Sequence, residues 1–192
     1  MAKVRTLSPK FMAGHPKHGK PTYFVEQFLN CLKVDYIGQP YLEKLLQLNK
    51  KNIDAGKLTF EDIESFHTRL IILPKEGRMG VKRHTIRGGH HFKAGDKISI
   101  RCWFGKPYDS PQIILWDDLD VVNVWNVKIT HSGRNYEFVD ILIGSQSTGI
   151  YLSESGIKKL AKNDGLNVDD FCDWFAKDFA GQIIAWDKKV KY

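Results

Sequence analysis

The chain has few cysteines and lacks the motifs of several common enzyme classes. Its three cysteines, Cys31, Cys102 and Cys172, lie far apart, and none belongs to a CxxC pair. This spacing excludes a zinc ribbon or a thioredoxin-type site and favours free thiols in a reducing compartment. Walker A, Rossmann, HExxH and GxSxG patterns are also absent. The sequence therefore predicts neither a cofactor nor a metal ion.

Long apolar runs are absent as well. No stretch approaches the roughly 20 apolar residues that a membrane-spanning helix requires. The basic start of the chain, Met1–Arg5, is not followed by an apolar run of signal-peptide length. The cytoplasm is therefore the expected location, and a membrane is not an expected partner.

The composition is that of a globular protein with an excess of positive charge. Of the 192 residues, 42% are hydrophobic and 27% are charged, which suits one substantial core. The net charge of +7 favours an anionic partner, with nucleic acid ahead of an acidic membrane surface. The alternative is that the excess of positive charge serves only to keep the protein soluble.

Helical patterns come first along the chain, strand patterns in the middle, and helix and strand again at the end. Helices are predicted after Thr22, Pro40, Thr59, Ser153 and Asn167. Strands are predicted at Lys97–Trp103, Ile113–Trp116, Asp120–Thr130, Tyr136–Ile143 and Gln182–Trp186, with a hairpin turn at Ser132–Asn135. This mixture predicts an α+β fold with an antiparallel sheet that can close into a small barrel.

Positive charge is concentrated in one segment, Lys75–Lys106. It contains nine lysines and arginines against two acidic residues, Glu76 and Asp96, whereas the chain beyond Asp109 has an acidic excess. Such a segment can follow phosphates while neighbouring aromatic side chains stack on bases. The competing interpretation is a solvated strand face whose aromatic residues belong to the core.

The spacing within Gly80–Arg87 sharpens this prediction. Lys82 and Thr85 are three residues apart, so they converge only if the backbone turns between them. Thr85 and Arg87 share one face if a strand begins there. A lysine whose pKa is lowered by burial and by neighbouring arginines can act as a base toward a threonine hydroxyl. The plain alternatives are an exposed cation and an ordinary strand threonine.

This segment resembles a known family. Gly80-Val81-Lys82-Arg83-His84-Thr85-Ile86-Arg87, followed by His91-Phe92-Lys93-Ala94-Gly95-Asp96, is similar to the G-x-K-x-x-T-x-R…GD signature of the ASCH domains, which belong to the PUA-like superfamily. The likeness extends through Leu160–Leu166, Phe171 and Trp174-Phe175 to Gly181–Trp186. It covers roughly Met79 to Trp186.

The resemblance implies a PUA-like small antiparallel β-barrel flanked by helices at residues 76–192. Residues 1–75 are then an N-terminal loop and helical extension packed on that core. The expected function is binding of RNA or of a nucleotide in a basic cleft. The predicted binding residues are Arg83, His84, Arg87, His91, Lys93, Arg101, Trp103, Lys106 and Tyr108.

One branch of the family hydrolyses the amide of N4-acetylcytidine, which gives an alternative function. In that branch a lysine, a threonine and a glutamate carry the chemistry, and Lys82 and Thr85 match the first two. The third position aligns with Asp164, in an A-x-x-D-G stretch, where the side chain is shorter by about 1.5 Å. A ribonuclease is a second alternative. On the sequence alone, a solvated residue near a helix end is the preferred interpretation of Asp164 over a catalytic one.

Histidine pairs are the remaining candidates. His15 and His18 lie in a cationic loop with no carboxylate or thiol nearby in the sequence, so phosphate contact or solvation is the preferred interpretation over metal binding. His90 and His91 follow the predicted cleft segment, where a histidine can titrate or stack on a base.

Overall fold

The computed structural model describes residues 2–132 and 138–192, and it shows an α+β protein in two compact units. The first unit comprises the described residues up to 13 together with 17–81 and 97–119; the second comprises 14–16, 82–96 and 120–192. Residues 133–135 of the predicted hairpin turn Ser132–Asn135 lie outside the described residues. The elements in chain order are β1 (Lys3–Leu7), α1 (Phe24–Cys31), α2 (Gln39–Asp54), α3 (Phe60–Ile72), α4 (Lys75–Arg78), β2 (His84–Gly88), β3 (Lys97–Trp103), β4 (Gln112–Asp120), β5 (Asn123–Ser132), β6 (Phe138–Ile143), β7 (Ile150–Tyr151), α5 (Glu154–Asn163), α6 (Val168–Trp174) and β8 (Phe179–Ala185).

A three-stranded sheet with the order β1-β3-β4 forms the first unit's core together with helices α1, α2 and α3. β1 pairs in parallel with β3, with Lys3 opposite Ile98 and Leu7 opposite Cys102. Asn49 of α2 is fully buried and binds the backbone of β4. Its amide donates to the Ile114 carbonyl at 3.0 Å, and its carbonyl oxygen accepts from the Ile114 N–H at 2.9 Å. This reciprocal pair fixes the helix against the sheet without leaving a buried polar group unsatisfied.

Three helix starts follow capping residues in the sequence, whereas α1 and α2 begin without a hydrogen bond from a capping side chain. Thr59 and Asp62 form a capping box at α3, in which each side chain accepts from the other residue's backbone N–H. Ser153 caps α5 and Asn167 caps α6. Residues 68–72 complete α3.

The second unit is built on a five-stranded sheet with the order β2-β8-β5-β6-β7. β8 runs antiparallel to both β2 and β5, so it is covered on both edges and its residues Ile183 to Ala185 are almost fully buried. Gly181 stands opposite Gly88, and a Cβ at Gly181 would collide with the Arg87 carbonyl oxygen. Only glycine therefore permits β2 to approach β8 this closely.

Three elements were not predicted: β1, the single-turn helix α4 and the two-residue strand β7. The strand β2 was raised only as a condition for Thr85 and Arg87 to share one face. The strand predicted over 120–130 is divided, because Val121 and Val122 separate β4 from β5. The described strands form two sheets, so closure into a barrel stays a prediction, as does the division of the chain after residue 75. In the described part of the chain, no helix is both long enough and apolar enough to cross a membrane.

Candidate functional site

The backbone at Lys82 and Arg83 is held from two directions before β2 begins. The Arg83 N–H donates to the Asn163 carbonyl at 2.7 Å, at the end of α5. Trp186, directly after β8, donates its backbone N–H to the Arg83 carbonyl at 3.2 Å and its indole N–H to the Lys82 carbonyl at 3.0 Å. These three bonds fix the Lys82 backbone relative to the end of α5 and the end of β8.

Lys82 and Asp164 form a buried ion pair. The Lys82 Nζ lies 2.6 Å from the Asp164 Oδ1, and the two side chains are 1% and 6% exposed. The ammonium also donates to the backbone carbonyl of Asp164. The resemblance aligned Asp164 with the acidic position of the family, and the structure brings this residue into direct contact with Lys82.

The end of α5 explains how the shorter aspartate reaches the lysine. Asp164 is the residue that follows the helix, and its N–H still donates to the Leu160 carbonyl at 3.0 Å. Gly165 then adopts a φ of +85°, a left-handed conformation that ends the helix. The backbone of Asp164 itself is therefore close to the ammonium, and a long side chain is not required.

His84, the first residue of β2, extends the pair into a short network. Its Nδ1 lies 3.5 Å from the Asp164 Oδ1, and its Nε2 lies 2.9 Å from the Tyr192 hydroxyl. That hydroxyl accepts from the Asn163 amide at 3.1 Å, which leaves its proton for the His84 Nε2. The His84 proton is then on Nδ1, facing the carboxylate across an electrostatic contact too long for a strong hydrogen bond.

Burial and charge determine the protonation of the three groups. Burial lowers the pKa of Lys82 to about 8, although Asp164 acts against this shift. Burial would raise the pKa of Asp164, but Lys82 and His84 outweigh it and hold the pKa below its ordinary value. Burial also lowers the pKa of His84. At pH 7 the network is thus an ammonium, a carboxylate and a neutral imidazole, and the neutral amine of Lys82 becomes accessible near pH 8.

Thr85 is the third residue of the predicted catalytic set. It lies next to His84 in β2, opposite Ile184 of β8, and is 1% exposed. Among residues 2–132 and 138–192, no hydrogen bond joins its hydroxyl to the Lys82 amine. The structure therefore brings the lysine and the acid together and places the threonine in the adjoining strand.

Of the predicted binding residues, five belong to this second unit. Arg83 forms an ion pair with Asp187, so its charge is compensated. His84 is fully buried and belongs to the network described above. Arg87 is half-buried, and His91 and Lys93 are exposed in the chain that follows β2.

The other four predicted binding residues belong to the first unit. Trp103 and Tyr108 are in ring contact, with centroids 5.3 Å apart, and Tyr108 is 89% exposed with a φ of +69°. Lys106 pairs with Asp109 at 2.6 Å. Arg101 donates from Nε to the Ser99 hydroxyl at 3.2 Å.

Sequence reasoning missed the residues that complete the network, Asn163, Trp186 and Tyr192. Asn163 directly precedes the predicted acid, so its position was a signal. Trp186 closes the segment that resembles the family. Tyr192 had no sequence signal, because only the fold shows that it contacts His84.

Comparisons of the chain with descriptions of protein families, with curated proteins and with solved structures find no match. The interpretation of the network therefore depends on its own geometry and on the motif resemblance.

Proposed function

We propose that this chain is a PUA-like protein of the ASCH kind that hydrolyses the amide of an N-acylated nucleoside such as N4-acetylcytidine. The observation that carries the proposal is the 2.6 Å contact between the Lys82 Nζ and the Asp164 Oδ1. The motif resemblance selected these two residues from positions 82 apart in the chain. Their contact supports a common role.

The proposed reaction uses Lys82 in its neutral form. The amine accepts the proton of the Thr85 hydroxyl as the oxygen attacks the acetyl carbon. The protonated Lys82 then donates to the N4 nitrogen as the C–N bond breaks, releasing cytidine. Water hydrolyses the threonine ester, which returns acetate and the free hydroxyl. A lysine pKa of about 8 supports this role, because a base and an acid are both accessible near neutral pH.

Asp164 has a positioning role in this reaction. It is fixed at the end of α5 and accepts twice from the Lys82 ammonium, once through Oδ1 and once through its backbone carbonyl. Its negative charge stabilises the protonated lysine that the first step creates. The His84 Nδ1 lies 3.5 Å from the same carboxylate oxygen.

Two rearrangements are required for catalysis. Lys82 and Thr85 are each 1% exposed, so the chain around them has to open when the substrate enters. The amine also has to exchange one of its contacts with Asp164 for the Thr85 hydroxyl. Catalytic hydrogen bonds often become short only in the substrate complex, and the second rearrangement is of that kind.

The test is acetate release from N4-acetylcytidine by the purified chain, followed by chromatography. We expect the rate to rise with pH through about 8, as Lys82 loses its proton. Thr85→Val removes the hydroxyl and keeps the β-branched shape, so we expect at least an approximately 100-fold loss of kcat/KM with the fold intact. Thr130→Val, in strand β5 of the same sheet, is the matched control and should keep full activity. Absence of acetate release, or full activity of Thr85→Val, would contradict the proposal.

Binding of RNA or of a nucleotide is the second candidate, supported by the half-buried Arg87 in β2 and by the exposed Lys93 in the chain that follows it. His91 is also exposed there, and few acidic residues lie nearby in the sequence. In the first unit, the Trp103–Tyr108 pair offers an exposed aromatic ring on which a base can stack. Phosphate contacts predict a steep dependence of affinity on salt.

This second candidate has its own test, with single-stranded RNA as the probe. The double variant Arg87→Gln/Lys93→Gln should reduce the slope of log affinity against log salt by about 1.4, since each phosphate contact on a single strand contributes about 0.7. Lys188→Gln, exposed in the same unit, is the control and should leave the slope unchanged. A weak affinity without salt dependence would exclude the binding function. Cleavage of the probe during the assay would instead indicate a ribonuclease.

A further inference from the structure

Three potential metal ligands from distant parts of the chain meet in the second unit. They are His15, from the loop before α1, and Asp170 and Asp173 of α6. One ligand atom from each of the three lies within 4.8 Å of the others. The sequence separates His15 from the two carboxylates by more than 150 residues, and the fold brings them together.

The two aspartates are aligned by the helix that carries them. Residues three apart lie on the same face of an α-helix, so Asp170 and Asp173 point in a common direction. Asn167 fixes the first of them: its amide donates to the Asp170 Oδ2 at 2.9 Å, and its carbonyl oxygen accepts from the Asp170 N–H at 2.8 Å. One carboxylate is therefore fixed, while that of Asp173 is exposed and can adjust.

His15 is oriented as a metal-binding histidine is. Its ring is 4% exposed, lies 6.2 Å from the Trp174 ring, and has its Nε2 3.2 Å from the Asp170 backbone carbonyl. A carbonyl oxygen only accepts hydrogen bonds, so Nε2 is the donor in this contact and Nδ1 is the ring nitrogen that can bind a metal ion. Metal-bound histidines usually donate their second ring N–H to a carboxylate or a backbone carbonyl, as His15 does here.

We infer that His15, Asp170 and Asp173 form a binding site for a divalent transition-metal cation. One nitrogen and two carboxylate groups suit Zn²⁺, Mn²⁺ or Co²⁺, whereas Mg²⁺ and Ca²⁺ prefer oxygen ligands alone. With ligand distances of about 2.1 Å, two atoms on a common ion lie at most about 4.2 Å apart. The observed spread of up to 4.8 Å therefore requires a movement of about half an ångström, which the exposed Asp173 can supply.

Three protein ligands leave further coordination positions for water or a bound anion, which distinguishes this site from a closed structural site. The inference does not depend on the proposed hydrolase, because the cluster shares no residue with Lys82, Thr85 or Asp164. Success or failure of the metal test therefore leaves the amide-hydrolysis test unaffected.

The test is a titration of the full, chelator-treated chain with Co²⁺, followed by visible absorption, with Zn²⁺ as competitor. We expect one ion per chain and displacement of Co²⁺ by Zn²⁺. Asp173→Asn should weaken Co²⁺ binding at least about tenfold, and His15→Ala by more. Asp173 is exposed, so its variant is expected to fold, which circular dichroism checks.

Asp169→Asn and His18→Ala are the matched controls, since both residues are exposed, close in sequence to the ligands and outside the cluster. Both should bind Co²⁺ as the unaltered chain does. The inference is overturned if the unaltered chain binds no Co²⁺ stoichiometrically, or if Asp173→Asn binds it equally well. Preference for Mg²⁺ or Ca²⁺ over Zn²⁺ would overturn the assignment of the cation class.

Discussion

A buried carboxyl group of the first unit, Glu26, and a buried carboxyl group of the second, Asp164, have pKa values shifted in opposite directions. Glu26 of the first unit is 3% exposed, and burial raises its pKa to about 7 although the charge of Arg78 opposes the shift. Asp164 of the second unit is 4% exposed, yet its pKa is held below the ordinary value. Burial is the same in the two cases, so it does not by itself determine the charge.

The difference is the distance to a cation. Asp164 has the Lys82 ammonium at 2.6 Å, and His84 faces it as well. Within the described chain no salt bridge is formed by Glu26, and Arg78 acts on it without an ion-pair contact. A buried carboxyl with a contacting ammonium stays ionised, whereas one without such a partner approaches neutrality at pH 7. Near neutral pH, Asp164 thus forms an ion pair with Lys82, whereas Glu26 forms none within the described chain.

The largest expected effect is the loss of Lys82. Lys82→Met leaves the Asp164 charge buried without its partner, and we expect the free energy of unfolding to fall by about 3–5 kcal/mol, measured by urea denaturation. The double variant Lys82→Met/Asp164→Leu removes both charges and should regain most of that loss.

The exposed pair Lys50–Asp54, at 2.9 Å, is the matched control. Lys50→Met should cost less than about 1 kcal/mol, because water screens an exposed pair. Equal losses in the free energy of unfolding for Lys50→Met and Lys82→Met would show that burial does not distinguish the two pairs. A double variant as unstable as Lys82→Met would show that shape, and not charge, is what the site requires.

The second prediction concerns the pH dependence that Glu26 gives to stability. Its pKa is 4.5 in the unfolded chain and about 7 in the folded one, so the folded state binds more protons between these values. Stability is therefore full below about pH 4.5 and is lost as the pH rises through about 7. The loss amounts to about 3 kcal/mol.

Glu26→Gln should remove this component, because glutamine does not titrate. The measurement is urea denaturation from pH 4 to pH 8, with the variant's pH profile subtracted from that of the unaltered chain. Glu61→Gln, exposed on α3, is the control and should retain the full pH dependence. Identical profiles for Glu26→Gln and the unaltered chain would mean that Glu26 does not titrate near pH 7. The Asp164 pair has the opposite sign, since its stabilisation is lost as the pH falls.

Local signals in the sequence were sufficient for much of the fold. The alternation in Lys97–Trp103 gave the bounds of β3, and Thr59, Ser153 and Asn167 marked three helix starts because their side chains bind nearby backbone N–H groups. β1 was missed because Lys3–Leu7 is short and mostly polar. Its strand character comes from parallel pairing with β3, almost a hundred residues away.

The candidate sites depend more strongly on long-range contacts. The pairing of Lys82 with Asp164 was expected only from the motif resemblance, since no spacing rule connects residues 82 positions apart. The sequence did not favour His15 as a metal ligand, because no carboxylate lies near it in the sequence. The fold supplies Asp170 and Asp173 from α6. Sequence spacing predicts which residues lie side by side on one helix or strand. It does not predict this cluster, because its ligands come from separate segments.

The smallest expected effect is that of Arg78 on Glu26. Arg78→Met removes a positive charge that lowers the pKa of Glu26, so this pKa should rise further above 7. The rise should be smaller than the one that burial already causes, because burial is the larger influence. Carboxyl carbon chemical shifts followed by NMR during a pH titration measure it directly.

Arg69→Met, on α3 of the same unit, serves as the control, since Arg69 influences Cys102 and is not among the charges acting on Glu26. Its titration of Glu26 should match that of the unaltered chain. If Arg78→Met lowers the Glu26 pKa, water has reached the carboxyl group, and the low polarity around Glu26 depends on the packing of the Arg78 side chain. If Arg78→Met raises the Glu26 pKa to the same extent as Arg69→Met, the two guanidinium groups act through the net charge of the protein and not through their position near Glu26. A rise confined to Arg78→Met would instead establish that a cation without an ion-pair contact lowers the pKa of a buried carboxyl only in part. Such a cation does not reverse the effect of burial, whereas the contacting Lys82 does so for Asp164.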